Sequence, residues 1–141
     1  MITAQEIKEK ALECGACELI SRADTIADLI GLMGTPQGRE FCKLHSFPSL
    51  DILRQHMVEL ASLNVFVDAG NIEVDNTDNV IVAGDTTALL RYNRTDMPYH
   101  AIVMHGAHAK VIAYGYSLCQ VTNIGGEVES HESRNASIFL K

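Results

Sequence analysis

Apolar side chains recur every three or four positions through the first sixty residues, and from Asn64 onward they alternate with polar or small ones. The first spacing lines one face of a helix and the second lines one face of a strand. The helical part is well punctuated. Thr3 with Glu6 forms a capping box, the hydroxyl accepting from a first-turn amide while the carboxylate reaches back, and Ile7, Ala11, Leu12 and Cys14 follow before a stop at Gly15. Ser21 with Asp24 repeats that logic ahead of Ile26, Leu29, Ile30 and Met33, and Gly34 ends the segment. Thr35-Pro36 suits the cap and first turn of a third helix through Phe41, Cys42 and Leu44, because proline lacks an amide that the first turn cannot use. Phe47-Pro48-Ser49 breaks it and opens a fourth helix, with Leu50, Leu53, Met57 and Leu60 as its stripe.

Beyond Asn64 the vocabulary turns to Val, Ile, Ala, Thr and Tyr with turn residues at short intervals, which predicts strands at 65–68, 71–74, 80–83, 88–92, 101–104, 110–114, 117–122 and 137–140. From Ala101 to Val121 every odd position except His105 is small or β-branched, whereas the even positions carry larger groups such as Ile102, Met104, Ile112 and Tyr114. One side of these strands is restricted in volume. Three successive octads, starting at Ala101, Ala109 and Ser117, share this pattern and read as a short internal repeat. The expected fold is α+β: a helical head over residues 1–63 packed on a β-solenoid over residues 64–141, with an antiparallel β-sandwich as the alternative. No Pro-, Gly- or Ser-rich linker separates the two regions, so a single folding unit is expected.

Size and charge narrow the range of functions. With 141 residues and 47% hydrophobic content, the chain can bury a core without disulfides or metal, which excludes disordered and knottin-like classes. The net charge of -7, with scattered basic residues, disfavours direct nucleic-acid binding. No apolar run approaches the roughly 20 residues of a membrane span, and residues 1–10 do not read as a signal peptide. The expected location is the cytoplasm, with Cys14, Cys17, Cys42 and Cys119 as reduced thiols.

The candidate chemistry is sparse. Cys14-Gly-Ala-Cys17 has the spacing of half a zinc site but no second pair, so packing and capping are the expected roles and no metal or cofactor is assigned. His100, His105 and His108 cluster in sequence, yet on an extended strand neighbouring members of the cluster face opposite sides. His105 and His108 are the candidate ligand contacts. The run Asp75-Asn-Thr-Asp-Asn79 offers oxygen ligands for calcium but suits a turn better. No nucleophile elbow, phosphate loop or dinucleotide fingerprint occurs. Ile112, Tyr114, Tyr116 and Leu118 form an apolar set that needs cover, either by the helices or by a partner surface, and they are the candidate interface.

Gly38-Arg-Glu-Phe-Cys42, Phe47-Pro-Ser-Leu50, Val67-Asp-Ala-Gly70, Met104-His-Gly-Ala107 and Lys110-Val-Ile-Ala-Tyr-Gly115 together resemble small uncharacterised proteins of phages and mobile elements of gut bacteria. Those proteins combine a helical head with a tail of Ala-x-Val-x-Ala-Tyr-Gly repeats. The likeness spans most of the chain and carries no catalytic residue. It implies an accessory protein acting on a host or phage partner. Together with the missing catalytic signatures, the expected function is a non-enzymatic protein that binds and modulates a host protein in the host cytoplasm, and a small homo-oligomer is the expected assembly. The alternative is a small-molecule-binding or sequestering protein with a pocket at an oligomer interface, and a metal-dependent enzyme using the histidines is a third reading.

Overall fold

The computed structural model describes residues 2–16, 20, 22–133 and 135–141. Among them, five helices precede nine strands. The helices are α1 (Ala4–Glu13), α2 (Ile26–Met33), α3 (Pro36–His45), α4 (Leu50–Arg54) and α5 (Met57–Ala61). The strands are β1 (Val65–Val67), β2 (Gly70–Asp75), β3 (Val80–Ala83), β4 (Thr86–Tyr92), β5 (Tyr99–Met104), β6 (His108–Tyr114), β7 (Leu118–Ile124), β8 (Glu127–Ser133) and β9 (Ser137–Leu140).

Three helix starts carry side-chain caps read from the sequence. The hydroxyls of Thr3, Thr35 and Ser49 accept from the amides of Glu6, Gly38 and Ile52. The second helix starts later than the sequence pattern places it. Its capping box is Thr25 with Asp28, and Ser21 lies outside the described residues. The fourth predicted helix is divided into α4 and α5 at His56, whose backbone leaves the helical region at φ -124° and ψ 23°. At this break Gln55 Oε1 accepts from the Ile2 amide at 2.6 Å and His56 Nε2 bonds the Ile2 carbonyl at 2.7 Å.

The strands wind as a parallel β-solenoid. Odd-numbered strands form one sheet in the order β1-β3-β5-β7-β9 and even-numbered strands form the other in the order β2-β4-β6-β8, with all ladders between named strands parallel. An antiparallel sandwich is thereby excluded. Each coil contributes one strand to each sheet, so the octad is half of a coil. Val65 lies beside Ile81, Ile81 beside Ile102 and Ile102 beside Thr122, coil lengths that include the corners and, after β4, a longer loop. Two corners are built from consecutive left-handed residues, His105-Gly106 and Gly115-Tyr116, the backbone of tight turns.

The restricted odd positions are the solenoid interior: Ala101, Val103, Ala107, Ala109, Val111, Ala113, Cys119 and Val121 are all buried between the sheets. The side chains between them in the pleat, the even positions within 101–121 and their ladder partners on neighbouring coils, point outward, and their fate depends on the sheet. On the odd-strand sheet, Ile81, Ile102, Met104 and Ile124 pack against Ile26, Leu29, Met33 and Leu60 of the head. On the even-strand sheet, Thr87, His108, Lys110, Glu127 and Glu129 face solvent. The helices thus cover one outer face of the solenoid and leave the other bare. Among the described residues, no helix is long and apolar enough to cross a membrane.

Candidate functional site

The histidine cluster disperses on folding. His105 occupies a left-handed corner at φ 54°, and its Nε2 bonds the Pro48 carbonyl at 2.7 Å, tying the solenoid to the head. His100 lies on β5, where Asp78 accepts from its backbone amide at 2.8 Å and lies 3.3 Å from its Nδ1. His108 is on the bare face, 3.1 Å from Glu127. Among the described residues, no group of three or more His, Cys, Asp or Glu side chains is arranged to hold a metal ion.

The Asp75–Asn79 run is a corner. Asn76 and Asn79 adopt left-handed φ values, the Asn76 side chain bonds Asn93 in the next coil, and Asp78 is the His100 partner. Asp75 is paired with Arg91 across the even-strand sheet. Cys14 is exposed at the end of α1, and Cys17 lies outside the described residues. Cys42 and Cys119 are buried, and burial pushes each thiol up to about 12, so both stay protonated.

Ile112, Tyr114, Tyr116 and Leu118 form a stripe bent around a corner. Ile112 and Tyr114 are half-buried on the bare even-strand face, Tyr116 is 70% exposed in the turn, and Leu118 begins β7 in the other sheet. None of the four belongs to the cluster packed under the helices, which instead covers Ile102 and Met104. The Asn93 side-chain amide donates to the Tyr114 hydroxyl at 3.2 Å.

A concave site lies in the helical head. All five helices contribute to a half-open cavity of about 350 Å³, with Ile7 from α1, Leu29 from α2, Phe41 from α3, Ile52 from α4 and Leu60 from α5. The helix–helix approach that shapes it depends on Gly38: a β-carbon there would stand 1.8 Å from the Leu32 carbonyl, so α3 can begin against the end of α2 only with glycine. Comparison with family models, with curated proteins and with solved structures yields no match. The chemistry of the cavity is therefore read from its own walls.

Those walls are almost wholly apolar, and their inner polar groups are already engaged. The Thr35 hydroxyl donates to the Leu32 carbonyl at 2.7 Å and accepts from the Gly38 amide at 3.0 Å. His56 is taken by Ile2 through Nε2 and lies 3.7 Å from Glu59 through Nδ1. Gln37 and Glu40, both exposed on α3, supply polar groups at the rim beside Leu44, which is 76% exposed. Neither His105 nor His108 lines the cavity. Sequence reading missed this site because its lining is drawn from five separate helices, and each residue on its own is indistinguishable from ordinary core.

Proposed function

We propose that the protein is a non-enzymatic binding protein whose helical head holds an apolar small molecule. The carrying observation is the cavity itself. Protein interiors are packed as densely as organic crystals, and pockets of about 300–1,000 Å³ with apolar walls and a few polar groups are the usual form of small-molecule sites. Water fills such a space poorly, since a buried water needs two to four polar partners and the inner walls offer few free ones. This reading takes up the small-molecule role that the sequence offered as the alternative and moves its pocket from an oligomer interface into a single chain.

The test is fluorescence of the uncharged probe N-phenyl-1-naphthylamine with the wild-type protein and with Ile30→Trp, which adds bulk to the cavity wall. Saturable binding by the wild type, lost in a variant with unchanged circular dichroism, is the expected result. Absence of wild-type binding, or equal binding by a folded Ile30→Trp protein, would overturn the proposal.

A second reading, the accessory role of modulating a host protein, is supported by the bare outer face of the even-strand sheet. Ile112 and Tyr114 sit there among the Arg91–Asp75 ion pair and the His108–Glu127 contact, a mixture of apolar anchors and polar surround common at protein interfaces. Under this reading, Tyr114→Ser with Tyr116→Ser releases the partner or dissociates a homo-oligomer without unfolding the chain, an outcome native mass spectrometry resolves.

A further inference from the structure

The polarity of the cavity narrows the class of ligand, an inference that rests on the binding role proposed above. A cavity of ~150 Å³ accommodates a benzene ring, so 350 Å³ scales to about fourteen non-hydrogen atoms. Inside, the side chains that could meet a polar ligand group are Thr35 and His56, whose hydrogen-bonding capacity is turned inward to Leu32, Gly38 and Ile2. Cys42, the thiol on the wall, is held neutral by burial. A ligand charge placed among these groups would lose its hydration with no counter-charge from the described inner lining to replace it, a cost far above that of an uncharged group.

At the rim the bias has a sign. Glu40 is the carboxylate among the described lining residues, no Lys or Arg lines the cavity with it, and the whole chain carries a net charge of -7. Carboxylate and phosphate heads are repelled on approach as well as left unpaired on arrival. The side chains of Gln37 and Glu40 bond no described residue, so the amide and the carboxylate are both open to a hydrogen-bonding group that stops at the rim. A hydroxyl can donate to Glu40 and accept from Gln37 at once.

We infer that the cavity selects an uncharged amphiphile, a hydrocarbon body of about fourteen atoms with one hydroxyl-type head, inserted body first with its head between Gln37 and Glu40. Fatty-acid anions of the same length are discriminated against by the unpaired charge. This differs from a generic greasy site, which would rank ligands by chain length alone.

A matched series separates these cases. 1-Dodecanol, dodecanoate and dodecylammonium, each below its micellar concentration at pH 7.5, are titrated against bound N-phenyl-1-naphthylamine. The alcohol is expected to displace the probe at least about tenfold more effectively than the carboxylate, with the ammonium ion no better than the alcohol. In Glu40→Arg, a change at an exposed position of α3 whose fold is checked by circular dichroism, the carboxylate is expected to gain on the alcohol. Equal or tighter binding of dodecanoate by the wild type would overturn the inference, as would ammonium binding tighter than the alcohol, since the head would then be cationic. An unchanged ranking in Glu40→Arg would overturn the placement of the head. If the probe itself fails to bind, the binding role falls first, and the two failures are distinguished.

Discussion

Individual side chains in this protein are decided by whether burial leaves them a partner. Tyr92 is buried inside the solenoid, stacked with Tyr99 at a ring separation of 5.0 Å, and its hydroxyl makes no hydrogen bond among the described residues. The neighbouring Cys119 thiol does not meet it with good hydrogen-bond geometry, and burial drives the phenol pKa far upward. Removing an unsatisfied buried hydroxyl while keeping the ring relieves a desolvation cost. Tyr92→Phe is therefore expected to leave stability unchanged or raise it by up to about 1 kcal/mol, measured by urea unfolding. His105 is the opposite case. The sequence marks it as the one large residue on a small-residue face, and the structure shows why: a left-handed corner turns it out of the interior and toward Pro48. The exception to the pattern was legible, whereas the Pro48 carbonyl, 57 positions away, was not.

At the level of elements, alternation identified the strands whose inward residues are packed between neighbours. β8 escaped it. Its sequence, Glu-Val-Glu-Ser-His-Glu-Ser, is exposed at six of seven positions, and only Val128 marks an inward side. A strand with a partner on one edge and little to bury has no periodic signature, so β8 is held by its ladder to β6 rather than by composition. The opposite regime holds within the stack, where Ala109 lies between Ala88 and Val128 on adjacent coils. Ala109→Leu is expected to cost about 1–3 kcal/mol by overpacking. Lys110→Leu, one residue on and facing outward, is expected to change stability by no more than about 0.5 kcal/mol. Equal effects at the two positions in chemical denaturation would contradict the assigned interior.

For the whole molecule, the contact between head and solenoid includes polar clamps that respond to pH. Asp68, at a left-handed position after β1, accepts from Arg54 of α4 at 2.7 Å and from the Asp85 amide at 2.8 Å, and these bonds lower its pKa below the ordinary 3.8. Gly84 makes room for it, since a β-carbon there would lie 2.2 Å from the carboxylate. The Asp28 carboxyl is lowered as well, first by the Asp24 amide and then by Thr25. A carboxyl with a depressed folded-state pKa contributes stability that is complete above its unfolded value and is lost as pH falls through the folded one. The urea midpoint is therefore expected to hold steady from pH 7 to about pH 5 and to drop below about pH 4. The gap between wild type and Asp68→Asn is expected to close over that acid range, and a gap that persists undiminished would remove Asp68 from the clamp.

The sequence by itself determined what depends on near neighbours: helix starts at Thr3, Thr35 and Ser49, corners at Asn and Gly, and the division of residues 101–121 into a small inward side and a large outward side. These are local because capping, left-handed backbone and pleat alternation each involve only a few consecutive residues. Tertiary structure alone decided that the octads are half coils of a parallel stack, that Ile102 and Met104 lie beneath the helices while Ile112 and Tyr114 lie on the bare face, and that five helices enclose an apolar cavity. Outward positions on the two sheets have the same alternation, and only the placement of the head distinguishes them. A cavity is a place that side chains fail to fill, so its outline depends on how separate elements meet and leaves no mark on any one of them.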